Sequence, residues 1–176
     1  MGVDIIIKMR ILRLASLAVI GWYLLLITLH FSNQRLLWND EYCVFANIHH
    51  QPLGQLFQQA LSHDQEFPRV YLFLTGVLVS SFHDHLLAVR FFSFLSMLTA
   101  FLIWMYIAQK QLKSPMAFLT FCLCWSASIP LIYYASELKQ YSMDVLVSSV
   151  FLLFLSHQQS IQRNGRYAFI LGLLLL

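Results

Sequence analysis

The chain has 176 residues, of which 59% are hydrophobic, 15% aromatic and only 11% charged. Soluble domains carry about 45 to 50% apolar and about 25% charged residues, so this composition excludes a soluble globular protein, and it equally excludes a disordered chain. The net charge of +3 is small and dispersed along the chain, which argues against nucleic acid as a partner because phosphate binding needs clustered Lys and Arg. The class that remains is an all-α polytopic membrane protein, a transmembrane helical bundle in a lipid bilayer.

The first predicted element is a transmembrane helix over residues 14–31, preceded by Lys8, Arg10 and Arg13. A cleaved signal peptide has similar flanks, but this apolar run is longer than the usual h-region. Leu29-His30-Phe31 also offers no small-residue cleavage site. A retained anchor is therefore favoured, with the N-terminus in the cytoplasm by the positive-inside rule.

Residues 32–68 form a predicted external loop that is rich in acidic and His residues. Its amphipathic pieces, residues 44–48 and 53–61, are too short to span a bilayer, so we expect short interfacial helices along the membrane surface. A loop of this length is uncommon unless it binds a ligand or takes part in catalysis.

Later apolar runs predict further spans at residues 86–109, 115–136 and 140–156. Residues 70–82 give only thirteen uncharged positions, about 20 Å of helix against a hydrocarbon core of about 30 Å, which favours a re-entrant helix over a transmembrane one. Residues 167–176 start another span that stops in mid-run. We therefore expect the N-terminal part of a longer protein.

The distribution of Lys and Arg tests this topology. If residues 70–82 cross the membrane, four Lys or Arg lie inside and six outside, whereas a re-entrant helix gives seven inside and three outside. The positive-inside rule favours the second arrangement. That arrangement places these charged and His-containing segments at one extracytoplasmic face: Asp40-Glu41, residues 63–66, residues 83–85, Arg90 and residues 137–141.

Asp40 and Glu41 are the catalytic candidates among these residues, because they follow the first span and the aromatic Trp38. A carboxylate held near the membrane surface is a candidate general base toward a hydroxyl acceptor. The alternative is a solvated acidic helix cap. We expect the side chain of Glu41 to point away from that of Asp40 and to tolerate substitution better.

Two short segments contain candidate metal ligands. His63, Asp64 and Glu66 lie within four residues, just before Pro68, and mixed imidazole and carboxylate ligation suits Zn or Mn more than Mg. The alternative is a polar turn closed by proline. His83 and His85 flank Asp84 in a second such segment, for which a short loop is the favoured interpretation.

The donor-phosphate candidates are Arg90, Lys139 and Tyr141. Arg90 lies near the start of an apolar stretch, where it either snorkels to the headgroups or faces the bundle and binds a lipid phosphate as a bidentate donor. Glu137 joins the active-face candidates, and it is an i,i+4 neighbour of Tyr141 if the helix continues there. Because the chain contains neither GxxxxGK[ST] nor GxGxxG, no nucleotide cofactor is expected.

Four segments in this order carry a family resemblance: Trp38-Asn39-Asp40-Glu41-Tyr42, residues 63–71 (HDQEFPRVY), residues 87–93 (LAVRFFS) and residues 133–142 (YYASELKQYS). Together they resemble the start of the integral-membrane glycosyltransferases of the GT-C class. The similar branch is that of the protein O-mannosyltransferases and the lipid A aminoarabinose transferase, glycosyltransferase family 39 and relatives. The resemblance covers nearly the whole chain.

The resemblance implies a polyprenyl-phosphate-linked sugar as donor, a hydroxyl acceptor and an inverting transfer at the extracytoplasmic face. It further implies that Asp40 is the base, that Glu66 ligates a divalent metal and that Arg90 is important for activity. Two departures from the family pattern are that Pro-Pro is reduced to Phe67-Pro68 and that Lys139 replaces a frequent arginine. The alternative function is a polytopic transporter or flippase subunit, which predicts inverted repeats and helices broken near the bilayer midplane.

Overall fold

The computed structural model describes residues 2–33, 35–50, 52–62, 66–82 and 85–156. Across these ranges the fold is all-helical and contains no strand, which confirms the predicted class of secondary structure. The seven helices of the described ranges are α1 (Gly2–Ser32), α2 (Asn39–His50), α3 (Arg69–Ser81), α4 (His85–Gln111), α5 (Pro115–Ser126), α6 (Ile129–Tyr133) and α7 (Tyr141–Ser156). Short 3-10 segments lie at Leu53–Phe57 and Tyr134–Ser136.

Two helices are long and apolar enough to cross a membrane, Asp4–Ser32 and Leu86–Gln111. At 1.5 Å per residue each exceeds the hydrocarbon core of about 30 Å. From Leu14 onward the surface of α1 is largely apolar, with Leu14, Leu17 and Trp22 exposed. A helix of this kind belongs in lipid or in a protein core. The exposed apolar surface of α1 indicates a lipid bilayer as its environment.

The predicted single span over residues 115–136 is broken. Helices α5 and α6 are bent by 62° at Ala127–Ser128, a break that the apolar run did not indicate. Pro130 lies in the first turn of α6, where its missing N–H has no helical partner to lose. The two pieces together are the third candidate span.

The short helix α3 agrees with the predicted run at residues 70–82 to within one residue. It packs against α4 and against the 3-10 segment at Leu53–Phe57. Gly76 allows that segment to approach, because a Cβ at this position would collide with the side chain of Leu53. The segment Leu53–Phe57 is therefore packed onto α3 by close contact.

Two hydrophobic clusters hold the described helices together. One joins α2, α3, the start of α4 and the segment after α6, and it includes Val44, Tyr71, Val89 and Leu138. The other joins α1, α4 and α5 and includes Tyr23, Ile27, Met97, Phe101 and Trp125. The first cluster supports the end of the bundle at which charged side chains gather.

Candidate active site

Four charged residues from separate segments are connected by ion pairs. They are Arg35 after α1, Glu41 in α2, Arg90 in α4 and Glu137 after the second 3-10 segment. We call these four residues the buried charge cluster. Two positive and two negative side chains balance one another, which is the condition under which ionised groups are tolerated away from water.

Glu41 is the centre of this cluster and is only 1% exposed. Its carboxylate accepts hydrogen bonds from Arg35 Nη1 at 3.1 Å, from the Leu138 amide at 2.8 Å and from the Trp38 amide at 3.0 Å. The bond from Trp38 is the return half of a capping box, in which a glutamate in the first helical turn satisfies the amide before the helix. Glu41 therefore has partners inside the protein, which is not the environment of a residue that tolerates substitution better than Asp40.

Arg35 connects both carboxylates of the cluster. Its Nη2 donates to Glu137 Oε1 at 2.8 Å, and its guanidinium carbon lies 5.5 Å from the ring centre of Trp38 and 5.7 Å from that of Tyr133. These are cation–π distances. Arg35 is not among the candidate site residues predicted from the sequence, although its position between the first span and Trp38 was the available signal.

Arg90 is 1% exposed and turns inward. Its Nη2 lies 3.6 Å from Glu41 Oε2 and 3.5 Å from the Leu36 carbonyl oxygen. Of the two alternatives left open for this residue, its burial agrees with the inward-facing one and not with snorkelling. Arg90 does not line the cleft described below.

Glu137 is 5% exposed, and both its side chain and its backbone carbonyl accept hydrogen bonds. Its carbonyl accepts a hydrogen bond from Ser93 Oγ, which also lies 2.8 Å from the Tyr71 hydroxyl. A continuous polar chain thus connects α3, α4 and the segment after α6. Residues 137–140 are not helical and α7 begins at Tyr141, so the predicted helical pairing of Glu137 with Tyr141 is wrong.

A cleft of about 240 Å³ adjoins the buried charge cluster and shares Glu41 and Glu137 with it. Its lining residues are Trp38, Asp40, Glu41, Tyr133, Tyr134, Glu137, Lys139 and Tyr141. The rings of Tyr134 and Tyr141 lie 4.6 Å apart and those of Tyr133 and Tyr134 5.5 Å apart. Amphipathic rings give such a wall both apolar faces and hydroxyl groups. The cleft therefore offers a ligand both aromatic ring faces and hydroxyl groups.

Asp40 and Lys139 form an ion pair at the mouth of this cleft. The Asp40 side chain is 55% exposed and that of Lys139 19% exposed. Partial burial of the ammonium lowers the pKa of Lys139, but the hydrogen bond and the charge of Asp40 outweigh burial, so the pKa is raised above its ordinary value. Of the two adjacent acids, Asp40 alone is accessible to a ligand.

Of the remaining predicted site residues, Glu66 is the one whose side chain the structure describes. His63, Asp64 and His83 lie outside the described residues, as does the side chain of His85. Glu66 is exposed and does not line the cleft. Within the described ranges no three His, Cys, Asp or Glu side chains lie close enough to share a metal ion, so the described donors do not make a metal site.

Comparisons of the chain with known protein families, with curated sequences and with solved structures found no match. Function is therefore inferred from the chemistry of the cleft and from the sequence motifs that contribute to it.

Proposed function

We propose that the chain acts as a membrane glycosyltransferase that moves a sugar from a polyprenyl-phosphate donor to a hydroxyl acceptor. The observation that carries this proposal is the pair of Asp40 and Lys139 at the mouth of a tyrosine-walled cleft. An accessible carboxylate beside an ammonium supplies the two charges that this transfer needs, a proton acceptor and a phosphate ligand.

In the proposed reaction the acceptor oxygen attacks the anomeric carbon of the sugar as its hydroxyl proton passes to the Asp40 carboxylate. The bond from that carbon to the phosphate oxygen breaks, and the lipid phosphate leaves with the electron pair. A displacement from the opposite face inverts the configuration at the anomeric carbon. Lys139 stabilises the charge on the departing phosphate.

The ion pair gives donor binding a second role. Asp40 neutralises Lys139 in the structure, so a donor phosphate must compete with this carboxylate for the ammonium. When the phosphate takes over Lys139, the Asp40 carboxylate becomes available to the acceptor hydroxyl. Donor binding thus prepares the base in the proposed mechanism.

The buried charge cluster has a positioning role in this proposal. Glu41 ties the first turn of α2 to the Leu138 amide, and that bond places the neighbouring Asp40 beside Lys139. Arg90 acts through Glu41, so the importance that the resemblance gives to this arginine is assigned to positioning. Tyr141 stays a candidate for the phosphate because it lines the cleft.

Asp40→Asn in the full-length protein tests the proposal. The amide keeps the size of the carboxylate but cannot accept the proton, so transfer from a polyprenyl-phosphate sugar should fall about 10²- to 10⁴-fold. The thermal midpoint should change little, because Asp40 is largely exposed. Asp4→Asn is the matched control, since Asp4 is an exposed acid in the first turn of α1. Parental transfer rates in Asp40→Asn would remove Asp40 as the base.

The proposed topology is multi-pass, with the N-terminus in the cytoplasm and the cleft at the extracytoplasmic face. Glu66→Cys and Gln111→Cys test it, because both positions are exposed. With Cys43 and Cys124 replaced beforehand, a membrane-impermeant thiol reagent should label the first variant in intact cells and not the second. The reverse labelling would place the cleft on the cytoplasmic side.

A divalent metal at Glu66 with His63 and Asp64 stays a prediction, and no step above depends on it. Chelation should lower transfer by the full-length enzyme, and Mn or Zn should restore it. Glu66→Gln should remain low in activity whatever metal is added. Full transfer in excess chelator would exclude a role for the metal in stabilising the departing phosphate.

The transporter alternative has one observation in its favour, the break between α5 and α6. The break lies about 18 Å along the helix from Pro115, a depth at which transporters interrupt their helices. The residues of the break, Ser126, Ala127 and Ser128, carry no charge. Uptake or flipping of a lipid-linked sugar by liposomes containing Asp40→Asn, without any transfer by the parent protein, would favour this alternative.

A further inference from the structure

A second cavity lies at the opposite end of the bundle from the candidate active site. It encloses about 550 Å³ between the N-terminal part of α1, the end of α4 and the start of α5. Arg13 and Ser32 in α1 are about 29 Å apart along the helix, and Arg90 and Lys110 in α4 are about 30 Å apart. These separations match the hydrocarbon thickness, so the cavity lies at the level of the other membrane surface.

The rim of this cavity is basic. Arg13, Lys110 and Lys113 all contribute to it, and none of its lining residues is acidic. Among the described residues these three cations form no ion pair. Lys110 contacts the face of Tyr106, with Nζ 5.8 Å from the ring centre. Three cations converge here, and no acidic side chain of the described residues pairs with them.

The floor of the cavity is apolar. Leu17 and Phe118 line it together with the buried Ser16. A basic rim above an apolar floor, at the depth where headgroups meet acyl chains, matches the two parts of a phospholipid. A single long cationic side chain at a helix end is explained by snorkelling. Snorkelling does not explain why three such side chains line the same cavity.

We propose that this cavity binds the headgroup of an anionic glycerophospholipid, with its phosphate at the three cations and the start of an acyl chain along Leu17 and Phe118. Basic pockets between membrane helices recognise anionic headgroups through the same combination of charge and depth. The site is independent of the proposed sugar transfer, and it joins α1, α4 and α5 on the side away from the cleft.

Native mass spectrometry of the purified full-length protein with phosphatidylglycerol tests this site. The parent protein should retain one phosphatidylglycerol per chain in preference to phosphatidylcholine. Lys110→Gln/Lys113→Gln should weaken that binding roughly 25-fold, because each cation near a membrane surface contributes about fivefold. Lys110→Arg/Lys113→Arg, which keeps both charges, should retain the lipid and so separates loss of the site from loss of folding.

Lys8→Gln/Arg10→Gln is the matched control, because it removes two exposed cations of α1 that do not line the cavity. An equal loss of lipid in this variant would overturn the site in favour of diffuse attraction. Equal retention of phosphatidylcholine would overturn selectivity for an anionic lipid. Complete displacement of phosphatidylglycerol by millimolar inorganic phosphate would indicate a site for a soluble anion instead.

Discussion

The buried charge cluster and the pair of Asp40 and Lys139 contain the same chemical groups in different surroundings. Glu41 and Arg90 are each 1% exposed, whereas the side chain of Asp40 is 55% exposed. Two adjacent acids in one helical turn have therefore been separated into a buried residue and an accessible one. Burial, more than residue type, distinguishes the two roles.

The difference matters because removing one member of a buried ion pair leaves an uncompensated charge in a poorly solvated place. An exposed pair is separated at little cost, since water and salt screen both partners. The cluster is suited to hold segments together, and the exposed pair is suited to exchange partners with a ligand. The four predictions below test this division, beginning with the largest expected effect.

Glu41→Gln should lower the free energy of unfolding by about 3 to 5 kcal/mol, because Arg35 and Arg90 lose the carboxylate between them. Equilibrium unfolding in detergent measures the change. Asp40→Asn is the matched comparison, one residue away and largely exposed, and it should stay within about 0.5 kcal/mol of the parent. Equal stability of the two variants would show that burial does not separate the two acids.

Arg35→Lys should lower the free energy of unfolding by about 1.5 to 3 kcal/mol. A single ammonium cannot reach Glu41 and Glu137 together as the planar guanidinium does, and one charge-assisted hydrogen bond is lost. Arg10→Lys at an exposed position should change nothing measurable. Parental stability of Arg35→Lys in the same unfolding experiment would contradict the bridging role.

Tyr71→Phe should lower the free energy of unfolding by about 1 kcal/mol, because Ser93 loses its partner at 2.8 Å in a buried place. Ser93→Ala also breaks the bond to the Glu137 carbonyl, so it should cost more. The double variant should cost less than the sum of the two, which a double-mutant cycle measures. Strict additivity would mean that the polar chain does not act as a unit.

The exposed pair should contribute less than about 1 kcal/mol, and only below alkaline pH. The pKa of Lys139 is raised above its ordinary value of 10.5, so its contribution is fully present below that value and is lost as the pH rises through the raised pKa. The gap in thermal midpoint between the parent and Lys139→Gln should therefore close at strongly alkaline pH. If the difference in thermal midpoint instead widened at alkaline pH, the raised pKa of Lys139 would be contradicted. The control Lys8→Gln should have the thermal midpoint of the parent at every pH.

Composition and apolar run length were sufficient for the coarse architecture. The predicted run at residues 70–82 became α3, and the loop carries short helical pieces as expected. Run length and composition carry this information because a helix needs a minimum length to cross hydrocarbon, and because charged residues are expensive inside it. The break at Ala127–Ser128 was missed because Pro130 is compatible both with a new helix and with a kink in an old one.

Sequence also placed Asp40, Glu41, Glu137 and Lys139 in one candidate site, since their segments follow or precede apolar spans at the same end. It could not decide which of the two adjacent acids is buried. Neighbours on a helix differ by about 100° in direction, and the direction that faces inward is set by the partner that packs there. For α2 that partner includes the Leu138 amide, which lies 97 positions away in the chain.

The same reason explains Arg35 and Arg90. The sequence did not single out Arg35 and left Arg90 as a phosphate ligand or a snorkelling residue, because a long cationic side chain reaches in several directions from one backbone position. Only the ion pairs in the tertiary structure decided that both guanidinium groups turn toward the buried Glu41 carboxylate. The kinds of charge at the site follow from the sequence, whereas their division into buried and accessible groups follows from the tertiary structure.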